Sequence, residues 1–264
     1  MSDNDCQTET RQPKKQRFSK PAAAPSTENM TDSKRAIIES FTFYRDQLDA
    51  HYDQRERVIK ISRDVTALSK KIVFSLLRIT QEPAAKVFKD AEQKHSAVLD
   101  LFAKMSVELQ GSNGYKYNRQ ATPGLQEYIE ALGLWFFLRD NTLISKEQVE
   151  EMIGSKGAKV LVTDDDYVLG ISDLPGEVNR YCINAIGKGD HEAVRNSLMF
   201  LRSLKEGINL IMTSGRIRDL NKKLDVLDSS LQKTEQAYYS MSIRGSEMQT
   251  VNSAAAAGEP MVIG

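Results

Sequence analysis

Ile37, Phe41, Tyr44, Leu48, His51, Arg55, Val58, Ser62, Val65, Ser69, Ile72, Leu76 and Ile79 follow one another in steps of four and three. Residues so spaced share one stripe of an α-helix, and the stripe is sustained for more than about ten turns at roughly 3.6 residues per turn. Asp32 is a natural N-cap for this helix and Pro83 stops it. A helix this long exceeds the roughly 8 to 20 residues usual in globular domains and predicts an extended bundle.

The flanking sequence is read outward from that helix. Residues 1–33 are polar, with Pro13, Pro21 and Pro25 and no apolar period, the composition of a disordered tail. After Pro83 a helix is predicted over 84–110, with Val87, Ala91, Val98, Leu101, Phe102 and Met105 inward and Gly111 at its end. Thr122 as N-cap and Pro123 at the first helical position predict a helix over 123–139. Ser145 with Gln148 three residues on forms a capping box for a short helix to Ile153.

Thr163 caps a further helix whose first turn holds Asp164, Asp165 and Asp166, acids that complement the helix dipole. That helix runs through Asp173 and Glu177 to Ile186, kinked at Pro175. Asp190 opens a helix to Met212, and the last spans 217–241, where Leu220, Leu224, Leu227, Leu231, Thr234, Tyr238 and Met241 repeat the four-three alternation. This last seam suits a core-facing helix or a coiled coil between subunits. Val160-Leu161-Val162 is too short to be a strand with no partner elsewhere, and reads as loop. The expectation is an all-α fold, a seven-helix bundle over 34–245 between disordered tails at 1–33 and 246–264.

Two acidic pairs stand out. Glu127 and Glu130 are three apart in the helix begun by Thr122-Pro123-Gly124, and Asp173 and Glu177 are four apart around Pro175. Such spacings put side chains about 5 to 6 Å apart on one face, close enough to share an ion. Glu127 and Glu130 lie in an otherwise apolar run, Leu125, Tyr128, Ile129, Ala131, Leu132, Leu134, Trp135, Phe136 and Phe137, where carboxylates need a partner. If the two helices face each other, charges about 4 Å apart repel by roughly 4 kcal/mol at an effective dielectric of 20. A cation or a proton relieves that repulsion. Oxygen ligands without Cys or His favour Mg²⁺ or Mn²⁺ over zinc. The competing reading is four solvated charges on two amphipathic helices.

The 36 basic and 36 acidic residues balance, which excludes a uniformly basic nucleic-acid binder and directs attention to local patches. One is Arg55, Arg57, Lys60, Arg63, Lys70, Lys71 and Arg78 on the first helix, against only Glu56 and Asp64 over 55–78. A second is Tyr115, Lys116, Tyr117 and Arg119, in which rings can stack on unpaired bases while cations meet phosphates. A solvated face and anchored loop tyrosines are the structural alternatives. The third patch, Lys14, Lys15 and Arg17 in the tail, reads as a nuclear import signal or a polyanion contact.

Cys6 and Cys182 make neither a disulfide framework nor a metal site, and no apolar run suits a membrane span or a signal peptide. An intracellular, reducing compartment is expected, with the protein in cytoplasm and nucleus.

The chain resembles the translin family. The phrases that carry the resemblance are Lys60-Ile61-Ser62-Arg63-Asp64-Val65-Thr66, Gly124-Leu125-Gln126-Glu127-Tyr128-Ile129-Glu130-Ala131, Asp166-Tyr167-Val168-Leu169-Gly170 running on to Asp173-Leu174-Pro175-Gly176-Glu177, and Ile243-Arg244-Gly245-Ser246-Glu247. The resemblance spans roughly residues 35–247. It implies a seven-helix fold, assembly with translin into a hetero-octamer, and Mg²⁺-dependent endoribonuclease activity in the catalytic subunit. It further implies that the complex removes the nicked passenger strand of small interfering RNA, promoting the RNA-induced silencing complex, and processes transfer-RNA fragments. By motif position the family's catalytic carboxylates fall on Glu127, Glu130, Asp173 and Glu177.

The expected chemistry is phosphodiester hydrolysis assisted by ions on those four carboxylates, with Lys60, Arg63, Arg119, Tyr115 and Lys116 holding single-stranded RNA or single-stranded DNA. Two other classes compete. A nucleic-acid-binding scaffold has no reason to put acids where phosphates approach, and a di-iron bundle would use Glu-x-x-His, whereas His51, His95 and His191 stand far from either acidic motif.

Overall fold

The computed structural model describes residues 31–212 and 217–257, the side chains of 212 and 244–257 excepted. Its first helix, α1 (Asp32–Leu76), ends in a short 3₁₀ turn at Leu77–Thr80 ahead of Pro83. It is followed by α2 (Ala84–Glu108), α3 (Asn113–Lys116), α4 (Asn118–Asp140), α5 (Lys146–Gly154), α6 (Asp164–Ile171), α7 (Leu174–Ile186), α8 (His191–Met212) and α9 (Leu220–Ala257). Among the described residues there is no strand, and Val160–Val162 is irregular chain. The fold is all-α.

The chain divides at Asp49 into two units. In the first, the described part is the opening of α1, where Ile37, Phe41, Phe43, Tyr44 and Leu48 are each more than half exposed. The second unit, from Ala50 on, contains the bundle. There the seam of α1 is core: Val58, Ser62, Val65, Ser69, Ile72 and Leu76 are buried. Periodicity marks a stripe and not what covers it, so the sequence did not separate these two halves.

Among the described residues there are nine helical segments where seven were expected, for two reasons. The Ser112–Gln120 linker contains the single-turn helix α3 and the start of α4. The helix expected over 163–186 is not kinked but broken, with α6 ending at Ile171 and α7 beginning at Leu174, its Pro175 in the first turn where a missing N–H costs nothing. The start of α4 also differs from expectation. Thr122 is not its cap but donates a hydrogen bond to Asn118 O at 3.3 Å, and Pro123 sits inside the helix. At the far end, α9 runs past Met241 to Ala257.

Asp32, expected as a cap, is the first residue inside α1, whereas the caps of α5 and α6 match their sequence signals. Ser145 and Gln148 form the full capping box of α5, and Thr163 accepts from Asp166 N at 3.0 Å while donating to Asp166 Oδ2 at 2.7 Å. Asp166 is thereby buried as a cap, and Gln126 of α4 donates to its other oxygen at 3.3 Å.

Rings spaced seven apart lock α2 antiparallel to α4. Phe88 stacks on Trp135, His95 meets Tyr128 and Trp135, and Phe102 meets Tyr128 edge-on with centroids 4.9 Å apart. The Tyr128 hydroxyl and His95 Nε2 share a hydrogen bond of 2.7 Å. Anchoring Tyr128 toward α2 turns Glu127 and Glu130, about 100° and about 160° around the helix axis, to other faces of α4. Behind α4 lie α6 and α7, and α7, α8 and α9 pack on one another. The seam of α9 faces that packing, with Leu220, Leu227, Leu231 and Thr234 buried.

Two glycines permit the close crossings. A Cβ on Gly124 would come within 2.7 Å of Ser62 O on α1, and one on Gly170 within 2.8 Å of the Ile129 side chain on α4. No described helix is long and apolar enough to cross a membrane.

Candidate metal centre and nucleic-acid interface

The exit of α6 and the entry of α7 bring Asp173 and Glu177 beside the face of α4 that carries Glu127 and Glu130. All four carboxylates line one cavity of about 540 Å³, together with Lys70, Val73, Phe74 and Arg180. A second cavity of about 460 Å³, which Phe200, Leu204 and Ile208 of α8 line with Tyr167 and Ile171, is apolar and contains none of the candidate residues.

Each acid but one is drawn to a cation. Lys70 Nζ lies 3.1 Å from Glu127 Oε1, Arg180 Nη1 lies 3.2 Å from Glu177 Oε2, and Lys223 Nζ lies 2.5 Å from both oxygens of Asp173. Glu130 has no such partner among the described residues. Burial, then the charges of Asp173, Glu127 and Glu177, push its pKa up to about 8, with Lys223 pulling the other way. The Glu177 carboxyl is raised too, by burial first, with Arg180 opposing it and Glu127 adding to it. Hydrogen bonding to Glu127 raises the Lys70 ammonium.

The donors suit a hard divalent cation: all are carboxylate oxygens, and the buried Glu177 Oε2 has no hydrogen-bond partner even with Arg180 close by. As the side chains stand, no group of three or more His, Cys, Asp or Glu among the described residues is arranged to hold a metal ion. Lys70, Arg180 and Lys223 pair with three of the four acids, so an ion would have to compete with these pairs.

The basic and aromatic candidates sit elsewhere. Lys60, Arg63 and Arg119 are exposed and do not line the acidic cavity. Arg63 and Arg119 flank one crossing, since Ser62 accepts from Gly124 N at 3.0 Å and donates to Ala121 O at 3.3 Å. Tyr115 is 81% exposed beside Leu109, Lys159 and Leu161, and the Lys116 ammonium is bonded to the His51 ring. Tyr117, expected with them, is buried against His51. Lys14, Lys15 and Arg17, like Cys6, lie outside the described residues. Cys182 is buried and free, its thiol pushed up to about 11 by burial.

Sequence reading missed three members of the cavity's charge system. Arg180 was within reach, being three residues beyond Glu177 on one helix face. In sequence, Lys70 is one basic residue of the stretch over 55–78, with nothing to mark it as the partner of Glu127. Lys223 carried no local signal, being 50 positions from Asp173.

A family model described as the translin family matches residues 53–245, the greater part of the chain, and includes all four carboxylates. The chain belongs to the translin family. Among its relatives it is 33% identical over 234 residues to translin-associated protein X of Rattus norvegicus, covering 80% of each chain. It is 28% identical over 219 residues to the translin-associated protein X homolog of Schizosaccharomyces pombe, covering 81% of this chain and 92% of that one. Translin of Homo sapiens is more distant, 23% identical over 224 residues with 81% and 96% covered. In fold, this translin-family chain is similar to apo-NeC3PO, with a TM-score of 0.63 at 23% identity, covering 76% of this chain and 96% of that one. It is also similar to AfC3PO in its complex with duplex RNA, with a TM-score of 0.58 at 20% identity, covering 78% and 97%.

Proposed function

We propose that this chain is the catalytic subunit of a metal-dependent endoribonuclease, assembled with translin into a hetero-oligomer of octameric type and acting on single-stranded RNA. Its substrates are the nicked passenger strand of small interfering RNA and transfer-RNA fragments, with single-stranded DNA as a second ligand, in cytoplasm and nucleus. The observation that carries the reading is the convergence of Glu127, Glu130, Asp173 and Glu177 on one open cavity from separate helices. The family membership and the fold it shares with an RNA-bound relative support it.

Glu127, Glu130, Asp173 and Glu177 would hold Mg²⁺, or Mn²⁺ in its place. Bound there, the ion supplies an activated water at neutral pH and neutralises charge on the scissile phosphate. The chain's own residues do the rest. Lys70 and Arg180, both more than half exposed at the cavity, are placed to meet backbone phosphates on either side of the acids. Exposed Phe74 offers an apolar face at the rim. Arg63 and Arg119 extend the cationic track along α1 and α4.

Two predictions follow from this division of labour. In the complex, cleavage of single-stranded RNA should require added Mg²⁺ and stop with a chelator; metal-independent cleavage removes the metal centre, and no cleavage leaves a nucleic-acid-binding subunit. Changing Arg63 and Arg119 together to Ala should weaken RNA binding without metal about tenfold and flatten the slope of log K against log salt by about 1.4. Single-turnover cleavage at saturating RNA should stay near the parent rate. Unchanged affinity takes both arginines out of the interface.

A further inference from the structure

Lys223 differs from the other two cations at the acidic cavity. Lys70 and Arg180 each approach one carboxylate oxygen and remain mostly exposed, whereas the Lys223 side chain is only 21% exposed. Its ammonium touches both oxygens of Asp173 and lies 3.3 Å from Leu169 O. That carbonyl belongs to the last turn of α6, where acceptors run out of helical donors: Ser172 N bonds Val168 O and Asp173 N bonds Gly170 O, so Leu169 O is passed over. The negative end of α6 and the Asp173 carboxylate together make a cation site, and the chain fills it with its own lysine.

The Asp173 side chain has no local capping bond to hold it. The residue stands at the N-cap of α7 with right-handed helical backbone angles, φ −86° and ψ −21°. Lys223, projected from the first turn of α9, is its partner across 50 residues of chain.

We infer that Lys223 is a built-in counter-ion for the carboxylate cluster, competing with a divalent cation for Asp173 and so setting the affinity of the site. The inference rests on the reading of the cavity as a metal centre. A lysine tethered at the cluster has a high effective concentration, so the incoming ion must either displace the ammonium or bind with a positive charge beside it. Both costs lower affinity. The same pair stabilises the metal-free fold, because without it Asp173 would add an uncompensated charge to three neighbouring acids.

The test is Mn²⁺ binding to the intact complex by calorimetry and by the electron paramagnetic resonance of free Mn²⁺, with no RNA present. Lys223→Met should tighten binding about tenfold or more, and Lys223→Arg, which keeps the charge, should stay near the parent value. Lys223→Met should also lower the melting temperature of the metal-free complex, and Mn²⁺ should restore it by a larger increment than in the parent. If Lys223→Met binds Mn²⁺ no more tightly than the parent, the counter-ion role is overturned, even where Glu130→Gln weakens binding and the metal centre stands. If the parent and Glu130→Gln show no difference in Mn²⁺ binding, the metal-centre reading itself fails and this inference falls with it.

Discussion

Glu130→Gln is expected to lower Mg²⁺-dependent cleavage by about a hundred- to a thousandfold, with the fold and the assembly intact. Glutamine keeps the shape and removes the charge at the one carboxylate of the cluster that has no cationic partner among the described residues. The loss should fall on the chemical step, so kcat drops while RNA affinity measured without metal is unchanged. A variant that cuts at the parent rate refutes the assignment. Fold and assembly are checked on the same sample by circular dichroism and light scattering.

The same substitution carries a pH signature. The folded-state pKa of Glu130 is pushed up to about 8, chiefly by burial and then by Asp173, Glu127 and Glu177, above the ordinary carboxylate value of 4.5. Between those values the folded protein binds a proton that the unfolded chain has released, so stability falls as pH rises. The decline begins near pH 4.5, levels off just above pH 8 and amounts to at most about 5 kcal/mol. Metal-free parent protein should therefore lose melting temperature from pH 5 to pH 8, with Glu130→Gln flatter over that range. A parent profile no steeper than the variant's would show that Glu130 does not titrate in this window.

How far the sequence spoke for the structure depended on the range of the signal. Caps are local: Ser145-Gln148 and Thr163-Asp166 each complete their hydrogen bonds within one turn, and both were legible. The acidic pairs were legible as pairs because helical spacing places Glu127 beside Glu130 and Asp173 near Glu177. Their meeting was not. It depends on α6 crossing α4 through Gly170 and on the chain breaking at Ser172 and Asp173, where a single kinked helix was expected. The neutralising cations were least legible, since Lys70 and Lys223 reach the cluster from helices 57 and 50 residues away in sequence. The Thr122-Pro123 start signal misled because the chain before it is already helical from Asn118.

Gly124→Ala shows how much of the site depends on one close approach. In an open helix the change would help by up to about 1 kcal/mol, since alanine is the better helix former. Here the new Cβ would lie 2.7 Å from Ser62 O, 2.9 Å from Ser62 Oγ and 3.2 Å from Ser62 Cα. Two of those three atoms are backbone, so no rotamer change relieves the contact and α1 must move off α4. Separation would also strain the hydrogen bond from Gly124 N to Ser62 Oγ, buried at 3.0 Å. Overpacking costs about 1 to 3 kcal/mol and a buried bond about 1 kcal/mol more, so the clash outweighs the propensity gain and a net loss of roughly 1 to 3 kcal/mol is expected. Gly207→Ala in α8 is the control. A Cβ there meets nothing within 4 Å, and the variant should gain up to about 1 kcal/mol. Urea denaturation of both variants reads the contrast directly. Because the same crossing sets Lys70 over Glu127, Gly124→Ala should also weaken Mn²⁺ binding, whereas Gly207→Ala leaves it unchanged. Equal stability of the two variants would mean that α1 and α4 do not approach as closely as Ser62 and Gly124 require.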